Sequence, residues 1–319
     1  MLKLGMGEFR DGWPLYESRL RLERPGQLHR GLDTPRWMGD VPLAGRTLFV
    51  YADQGLGDTL QFCRYIPVLE AMDARVVFEV QPVLKRLLRS LAMRGTLTGR
   101  GEPLPEFDLH VPLLSLPLAL RTEIATIPGG VPYLRVDPAA GRSWGERLAE
   151  LPGRKVGLNW QGNPEAEKLS ALEARSFPLA TAAPLACVPG VSLVSLQKGA
   201  GAEQRARVDF AGAIAQLTDP AYMGADEIAN ETAALLMGLD LVITADTALA
   251  HLAGALGARV WVILQAVPDW RWLIERDDSP WYPTMKLFRQ RTPGDWSEVF
   301  ERVAAALADW RDARANGVT

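Results

Sequence analysis

Short apolar runs rich in β-branched residues alternate along this chain with segments of helical period. The runs 46–52, 75–80, 155–160, 192–196, 240–244 and 259–264 predict strands. Segments 59–72, 83–91, 227–238 and 247–256 predict helices between them, and 295–311 predicts a long terminal helix. Strand–helix alternation of this kind implies parallel sheets with helices on both faces. Near the start, Phe9, Trp13, Tyr16 and Leu20 recur at helical spacing, with Pro14 tolerable only near a helix start or a break. Residues 24–45, rich in Pro, Gly and Asp, read as irregular. A turn-rich stretch at 128–144 interrupts the alternation, which then restarts. The expected fold class is therefore α/β, with two Rossmann-like doubly wound lobes and a central cleft. The expected division is an N-terminal helical arm and linker at 1–45, a first lobe at 46–150, a second at 151–294 and a terminal helix at 295–319. Ligands of such sheets bind beyond the carboxyl ends of the strands.

Composition narrows the function classes. The chain has 319 residues, 48% hydrophobic and 23% charged, with a net charge of −3. No basic excess exists to neutralise a phosphate backbone, so nucleic-acid binding is not expected. The two cysteines, Cys63 and Cys187, sit in apolar stretches and read as small hydrophobes rather than as a disulfide or a zinc site. No Asp-x-Asp and no His/Cys/carboxylate cluster is visible, so neither a metal nor another cofactor is expected. Acidic Glu8 and Asp11 come too early for a signal peptide. No apolar run approaches the ~18 residues of a membrane span. The expected location is the cytoplasm, with peripheral contact at the inner membrane left open.

Three strand ends carry candidate chemistry. In Gly55-Leu56-Gly57-Asp58-Thr59 the glycines admit close backbone approach and lead into a helix start, where negative charge is favoured. The residue three past Gly57 is Leu60, so the dinucleotide fingerprint is absent. Asp58 reads either as a helix cap or as a general base facing the cleft. Asn159-Trp160-Gln161-Gly162-Asn163-Pro164 follows the 155–160 run. Asn159 and Gln161 suit hydrogen bonding to a sugar, and the segment equally suits a plain turn. In Asp246-Thr247-Ala248-Leu249-Ala250-His251 the first-turn amides and the Thr247 hydroxyl suit a phosphate or diphosphate. His251 reads as a ligand contact or as a satisfied core residue. Gln197 and Lys198, after the 192–196 run, and Arg175 are further candidates, the two cations as neutralisers of a leaving phosphate or as solvated charges. Three tryptophans fall within 270–281. They read first as packing between the lobes, with Arg271 as a ligand contact.

Together these segments resemble one family. Gly-Leu-Gly-Asp-Thr-Leu-Gln-Phe at 55–62, Asn-Trp-Gln-Gly-Asn-Pro at 159–164, Ser-Leu-Gln-Lys-Gly at 195–199, Asp-Thr-Ala-Leu-Ala-His at 246–251 and Pro-Asp-Trp-Arg-Trp-Leu at 268–273 carry it. They are similar to the glycosyltransferase-like domain that follows tetratricopeptide repeats in many bacterial proteins. That domain is similar to the heptosyltransferases of glycosyltransferase family 9, and more distantly to protein O-GlcNAc transferase. Leu4, Phe9, Trp13, Tyr16 and Arg19 look like the tail of a final repeat. The resemblance implies a GT-B-like fold, an acceptor-binding first lobe, a nucleotide-sugar second lobe and a terminal helix crossing back to the first lobe. It implies Asp58 as base, Arg175 as phosphate contact, and Asp246, Thr247 and His251 as the donor-diphosphate motif. The implied activity is inverting, metal-independent transfer from a nucleotide sugar to a glycan, a lipopolysaccharide core or a protein such as flagellin. The chain departs from the pattern at 165–174, which lacks the His and the Asn-Asp pair of repeat-linked relatives, and at Gln265-Ala266, where relatives carry Pro-Phe. A non-catalytic module that keeps the fold, or a sugar-nucleotide epimerase or hydrolase, are the alternatives.

Overall fold

The computed structural model describes residues 1–21, 31–168, 175–218 and 228–315. The first sheet contains β1 (Thr47–Tyr51), β2 (Arg75–Val80), β3 (Thr96–Gly99) and β4 (Leu109–Pro112) in the order β3-β2-β1-β4. The second contains β5 (Arg154–Asn159), β6 (Val191–Ser195), β7 (Ile214–Ala215), β8 (Leu241–Ala245), β9 (Val260–Leu264) and β10 (Met285–Arg289) in the order β10-β9-β8-β5-β6-β7. Every pairing between these strands is parallel, with Val50 opposite Phe78 and Leu158 opposite Ile243. Strands covered on both faces read as continuous apolar runs, and β8 and β9 are buried throughout. The order reverses between β1 and β4 in one sheet and between β5 and β8 in the other, giving each lobe a switch point. This is the α/β, two-lobed, GT-B-like architecture expected from the alternation.

Several boundaries differ from expectation for local reasons. The run predicted as one helix over 59–72 is Leu56–Phe62, a 3₁₀ turn Cys63–Tyr65 and then Ile66–Ala71. Pro67 lacks an N–H and is tolerated only because a new helix starts there. The turn-rich stretch ends earlier than expected. Pro138 opens the helix Pro138–Ala149, capped by the Asp137 carboxylate accepting from the Ala139 N–H at 2.7 Å. That helix packs on the second lobe, where the Trp144 indole donates to Glu231 at 2.8 Å, so the changeover falls before 138 rather than at 150.

The terminal helix Trp296–Ala315 requires a larger correction. It does not cross back to the first lobe. Val299, Phe300, Val303 and Leu307 are buried in the second lobe's own cluster with β5, β8 and β9, and Phe177 meets Phe300 edge-on at 4.7 Å. An amphipathic stripe this close to a matching apolar face satisfies itself locally.

The N-terminal segment bridges the lobes instead. The helix Phe9–Tyr16 continues through Pro14 and tightens into a 3₁₀ turn at Glu17–Arg21. Phe9, Trp13 and Tyr16 are buried. Their rings meet Trp270 and Trp281 of the second lobe at 5.3–6.0 Å, and those two meet Phe62 of the first at 6.4 and 5.5 Å. Trp13 also donates to the Thr122 carbonyl at 2.8 Å. The tryptophans of 270–281 therefore pack the lobes together, and one apolar core runs through both. Trp13→Ala removes that ring and leaves the Thr122 carbonyl unpaired. The expected cost is about 3–5 kcal/mol. A urea denaturation midpoint that falls accordingly at constant slope would bear it out.

Candidate functional site

The two switch points face each other. At the first, the chain leaves β1 through Asp53 and Gly55 into the helix Leu56–Phe62. At the second, β8 runs through Asp246 into the helix Ala248–Ala255, and β5 ends at Asn159. The starts of these two helices touch. A Cβ on Gly57 would lie 2.9 Å from His251 Cδ2 and 3.3 Å from Ala248 Cα. Only glycine fits there, and the small Ala248 completes the close approach.

Asp58 is the first-lobe carboxylate of this junction. Its Oδ2 accepts from the Gly55 N–H at 2.8 Å, closing the helix start, and its Oδ1 accepts from Arg271 Nη2. The side chain keeps 19% of its surface exposed, enough to meet a substrate hydroxyl. Arg271 is buried. Its Nη1 donates to Asp269 and its Nε to Gln61 Oε1, both at 2.8 Å, and its guanidinium lies 4.4 Å from the Trp270 ring centre. All three nitrogens are thus held by protein groups. Arg271 positions Asp58 across the lobe boundary. The turn that aims it, Trp270–Trp272, ends at Leu273 with φ of 52°, a strained value held in place by the Ile274 N–H donating to the Gly5 carbonyl at 3.0 Å.

On the second lobe, Thr247 caps the helix Ala248–Ala255, accepting from the Leu249 N–H at 3.3 Å. Its hydroxyl also donates to Asn159 Oδ1 at 3.2 Å, and Thr244 donates to the same oxygen at 3.0 Å. Asn159 Nδ2 in turn donates to Gln197 Oε1 at 2.8 Å. That oxygen also accepts from the backbone of Trp160 and Gln161, while Gln197 Nε2 donates to the carbonyls of Gln161 and Ala200. Asn159 and Gln197 therefore act as an internal brace that sets Thr247. The Gln161 side chain accepts from Gln204 at 2.8 Å.

His251 is buried, with Nδ1 against the Tyr282 hydroxyl at 3.0 Å and its ring stacked on Trp272 at 5.3 Å. Burial and the charges of Arg271, Arg64 and Arg175 hold its pKa well below the usual value, so it is a neutral imidazole. Asp246 is buried. Burial, with the charge of Asp269, pushes its carboxyl up to about 6, against the pull of Arg175. Arg175 thus stands within electrostatic reach of the diphosphate candidate. Lys198 is half-buried, and burial lowers its amine pKa while Glu231 opposes the shift. The altered segment 165–174 lies largely outside the described residues. Among the described residues no group of three or more His, Cys, Asp or Glu is placed to hold a metal ion.

Sequence reasoning brought Gly57, Asp58, Asp246, Thr247, Ala248 and His251 to one place. It missed Gln61, Asp269 and Tyr282, which hold Arg271 and His251. Asp269 and Gln61 lie inside the quoted motifs, but which of several polar neighbours a buried arginine will choose depends on contacts more than 200 residues apart along the chain.

No protein-family model matches the chain. Its fold is that of glycosyltransferase family 9 structures. The Escherichia coli ADP-heptose lipopolysaccharide heptosyltransferase II superposes with a TM-score of 0.61 at 12% identity, over 84% of this chain and 99% of that one. The family 9 transferase of Veillonella parvula superposes with a TM-score of 0.58 at 10% identity, over 79% and 88%. Among curated sequences, Protein FlbA of Caulobacter vibrioides is 30% identical over 328 aligned positions covering 96% of this chain. The chain spans 54% of that relative's length.

Two outcomes follow from the site geometry. Gly57→Ala drives a methyl against His251 and the Ala248 backbone, and should cost about 1–3 kcal/mol by overpacking. Thermal unfolding that leaves this variant as stable as the parent would mean the two helices part freely. Asp246→Asn tests the raised carboxyl. Between its usual 3.8 and about 6 the folded chain keeps a proton that the unfolded chain releases, so this group's stabilising effect is full below that window and lost as pH rises through it. The variant should match the parent near the lower value and exceed it at neutral pH, as read by denaturation at a series of pH values.

Proposed function

We propose that this chain is an inverting glycosyltransferase that takes a sugar from a nucleotide sugar to a hydroxyl of a glycan, a lipopolysaccharide core or a protein such as flagellin, without a metal ion. One observation supports this above the rest. Gly57, next to Asp58 in the chain, meets the capped start of the helix Ala248–Ala255 across the lobe boundary, where the two switch points lie. Asp58 takes the acceptor proton as the acceptor oxygen attacks the anomeric carbon. The bond from that carbon to the diphosphate oxygen breaks, and configuration inverts. The amides and hydroxyl at Thr247–Ala248, with Arg175 and Lys198, meet the charge of the departing nucleotide diphosphate. Gln161, Asn159 and Gln197 shape the donor lobe around that helix start. Arg271 keeps Asp58 aimed at the junction.

The E. coli enzyme is an ADP-heptose lipopolysaccharide heptosyltransferase by name, which makes ADP-heptose a first donor to try. Among the described residues no helix is long and apolar enough to cross a membrane. We place the reaction in the cytoplasm, in peripheral contact with the inner membrane where the acceptor is lipid-linked.

One reading competes. Both Asp58 oxygens are already engaged, by Gly55 and Arg271, which favours a module that binds a nucleotide sugar without transferring it. Calorimetry against ADP, UDP, GDP and CMP and their sugars separates the two. Transfer predicts donor binding that weakens about tenfold or more in Thr247→Ala and Arg175→Ala, with turnover lost in Asp58→Ala and unchanged by EDTA. Binding without turnover would support the module. No binding of any nucleotide would remove both readings, and full activity in Asp58→Ala would remove the base.

A further inference from the structure

A row of polar side chains that the proposed transfer does not use crosses the lobe boundary beside the junction. Arg64, on the first lobe, is buried. Its Nη2 donates to the Tyr133 hydroxyl at 3.0 Å, and that hydroxyl donates to the Leu60 carbonyl at 2.8 Å. Its guanidinium lies 4.6 Å from the Tyr133 ring centre and 4.8 Å from that of Tyr282. Tyr282, on the second lobe, meets His251 Nδ1 at 3.0 Å. The row ends at the junction itself, since the Cδ2 edge of His251 is turned to Gly57.

The two ring nitrogens of His251 stand in different surroundings. Nδ1 is taken by Tyr282. Nε2 has no hydrogen-bond partner among the described residues, yet it is not one of the unpartnered side-chain atoms sealed from solvent. The 5% of the residue that stays exposed therefore includes Nε2, beside the two helix starts. A neutral imidazole carries one N–H, and the bond made by one nitrogen decides whether the other donates or accepts.

The proton on Tyr282 settles which. Burial, with Tyr133 alongside, pushes the Tyr282 phenol well above its usual value, so the O–H stays intact. Two acceptors lie near that proton. The Tyr133 oxygen already accepts from Arg64, and a proton turned there would face the guanidinium charge. His251 Nδ1 offers a free lone pair at 3.0 Å.

We propose that Tyr282 is a positioning residue: its hydroxyl donates to His251 Nδ1 and fixes the Nε2–H tautomer, so that His251 presents an N–H rather than a lone pair at the junction. A neutral N–H suits an uncharged oxygen such as a sugar hydroxyl, and it cannot take a proton from an acceptor. Proton removal is then left to Asp58, a consequence that rests on the transfer reading above.

The experiment examines the full chain, carrying isotope-labelled histidine, by long-range proton–nitrogen correlation NMR without any ligand. His251 is assigned by its loss in His251→Gln. The expected result is an unprotonated-type signal for Nδ1 and a protonated-type signal for Nε2. Tyr282→Phe keeps the ring and deletes the hydroxyl. In it the minor Nδ1–H form should rise several-fold, with the His110 signals unmoved as the mark of an intact fold. Tyr133→Phe should leave the His251 tautomer as in the parent, and with the parent it decides the matter should Tyr282→Phe not fold. A majority Nδ1–H form in the parent, an unchanged ratio in folded Tyr282→Phe, or a change toward Nε2–H in Tyr133→Phe would each overturn the proposal. No donor enters these readouts, so a failure here and a failure of nucleotide binding are told apart.

Discussion

A single buried cation organises the junction between the lobes. The Arg271 guanidinium sits out of water, where an unpaired charge costs several kcal/mol. It is tolerated because two carboxylates and an amide oxygen surround it and an indole face covers it. Asp269 comes from its own turn, whereas Asp58 and Gln61 come from the first lobe. Satisfying the arginine therefore requires the lobes to be in register, and the carboxylate proposed to do chemistry is the one that satisfies it. The positioning of Asp58 and the alignment of the lobes depend on the same bonds.

The N-terminal arm extends that constraint. Its rings fill the space between Trp270, Trp281 and Phe62, so the turn carrying Arg271 is pressed from behind. Arg19 then donates to Asp53 at 3.2 Å and to Ser115 at 2.8 Å, joining the arm to the carboxyl end of β1. Tyr16 is buried beside this network, its phenol pushed up to about 12 by burial, and it stays neutral at any ordinary pH. A segment that looks like the leftover of a repeat is therefore part of the two-lobed fold's own core.

The sequence made the sheets legible because buried parallel strands have a simple signature. Continuous apolar runs marked β1, β2, β5, β6, β8 and β9. The strands it missed are short or atypical. β7 has two residues, β3 four, β4 carries His110 and Pro112, and β10 is an edge strand that begins with Met-Lys and exposes Lys286. The site was legible to the extent that its groups lie at strand ends, where glycine, Asp-Thr and amide residues interrupt apolar runs. What stayed hidden is pairing. Asn159 and Gln197 have the composition of sugar ligands, but Asn159 spends its amide on Gln197 and the Thr244 and Thr247 hydroxyls, and Gln197 spends its own on Asn159 and the backbone. The resemblance, not the residues, set the terminal helix against the first lobe; its own amphipathicity shows which face is apolar and says nothing about which of two apolar surfaces receives it, and that surface is the second lobe's.

The contact between Gly57 and Ala248 limits how the proposed donor enters. With a would-be Cβ already at 2.9 Å from His251, no diphosphate fits between the two helix starts. It must lie in front of them, beside Asp58 and Thr247, or the lobes must part. Parting stretches the Arg271–Asp58 bond and unstacks the arm's aromatic cluster together, since both cross the same boundary. Neutral His251 suits the first route. A charged imidazolium among Arg64, Arg175 and Arg271 would be expelled toward the anion, whereas the neutral ring stays stacked on Trp272 and leaves the anion to the helix amides. The site's electrostatics therefore favour an anion at the capped helix start with the lobes still closed, the arrangement in which Asp58 remains aimed.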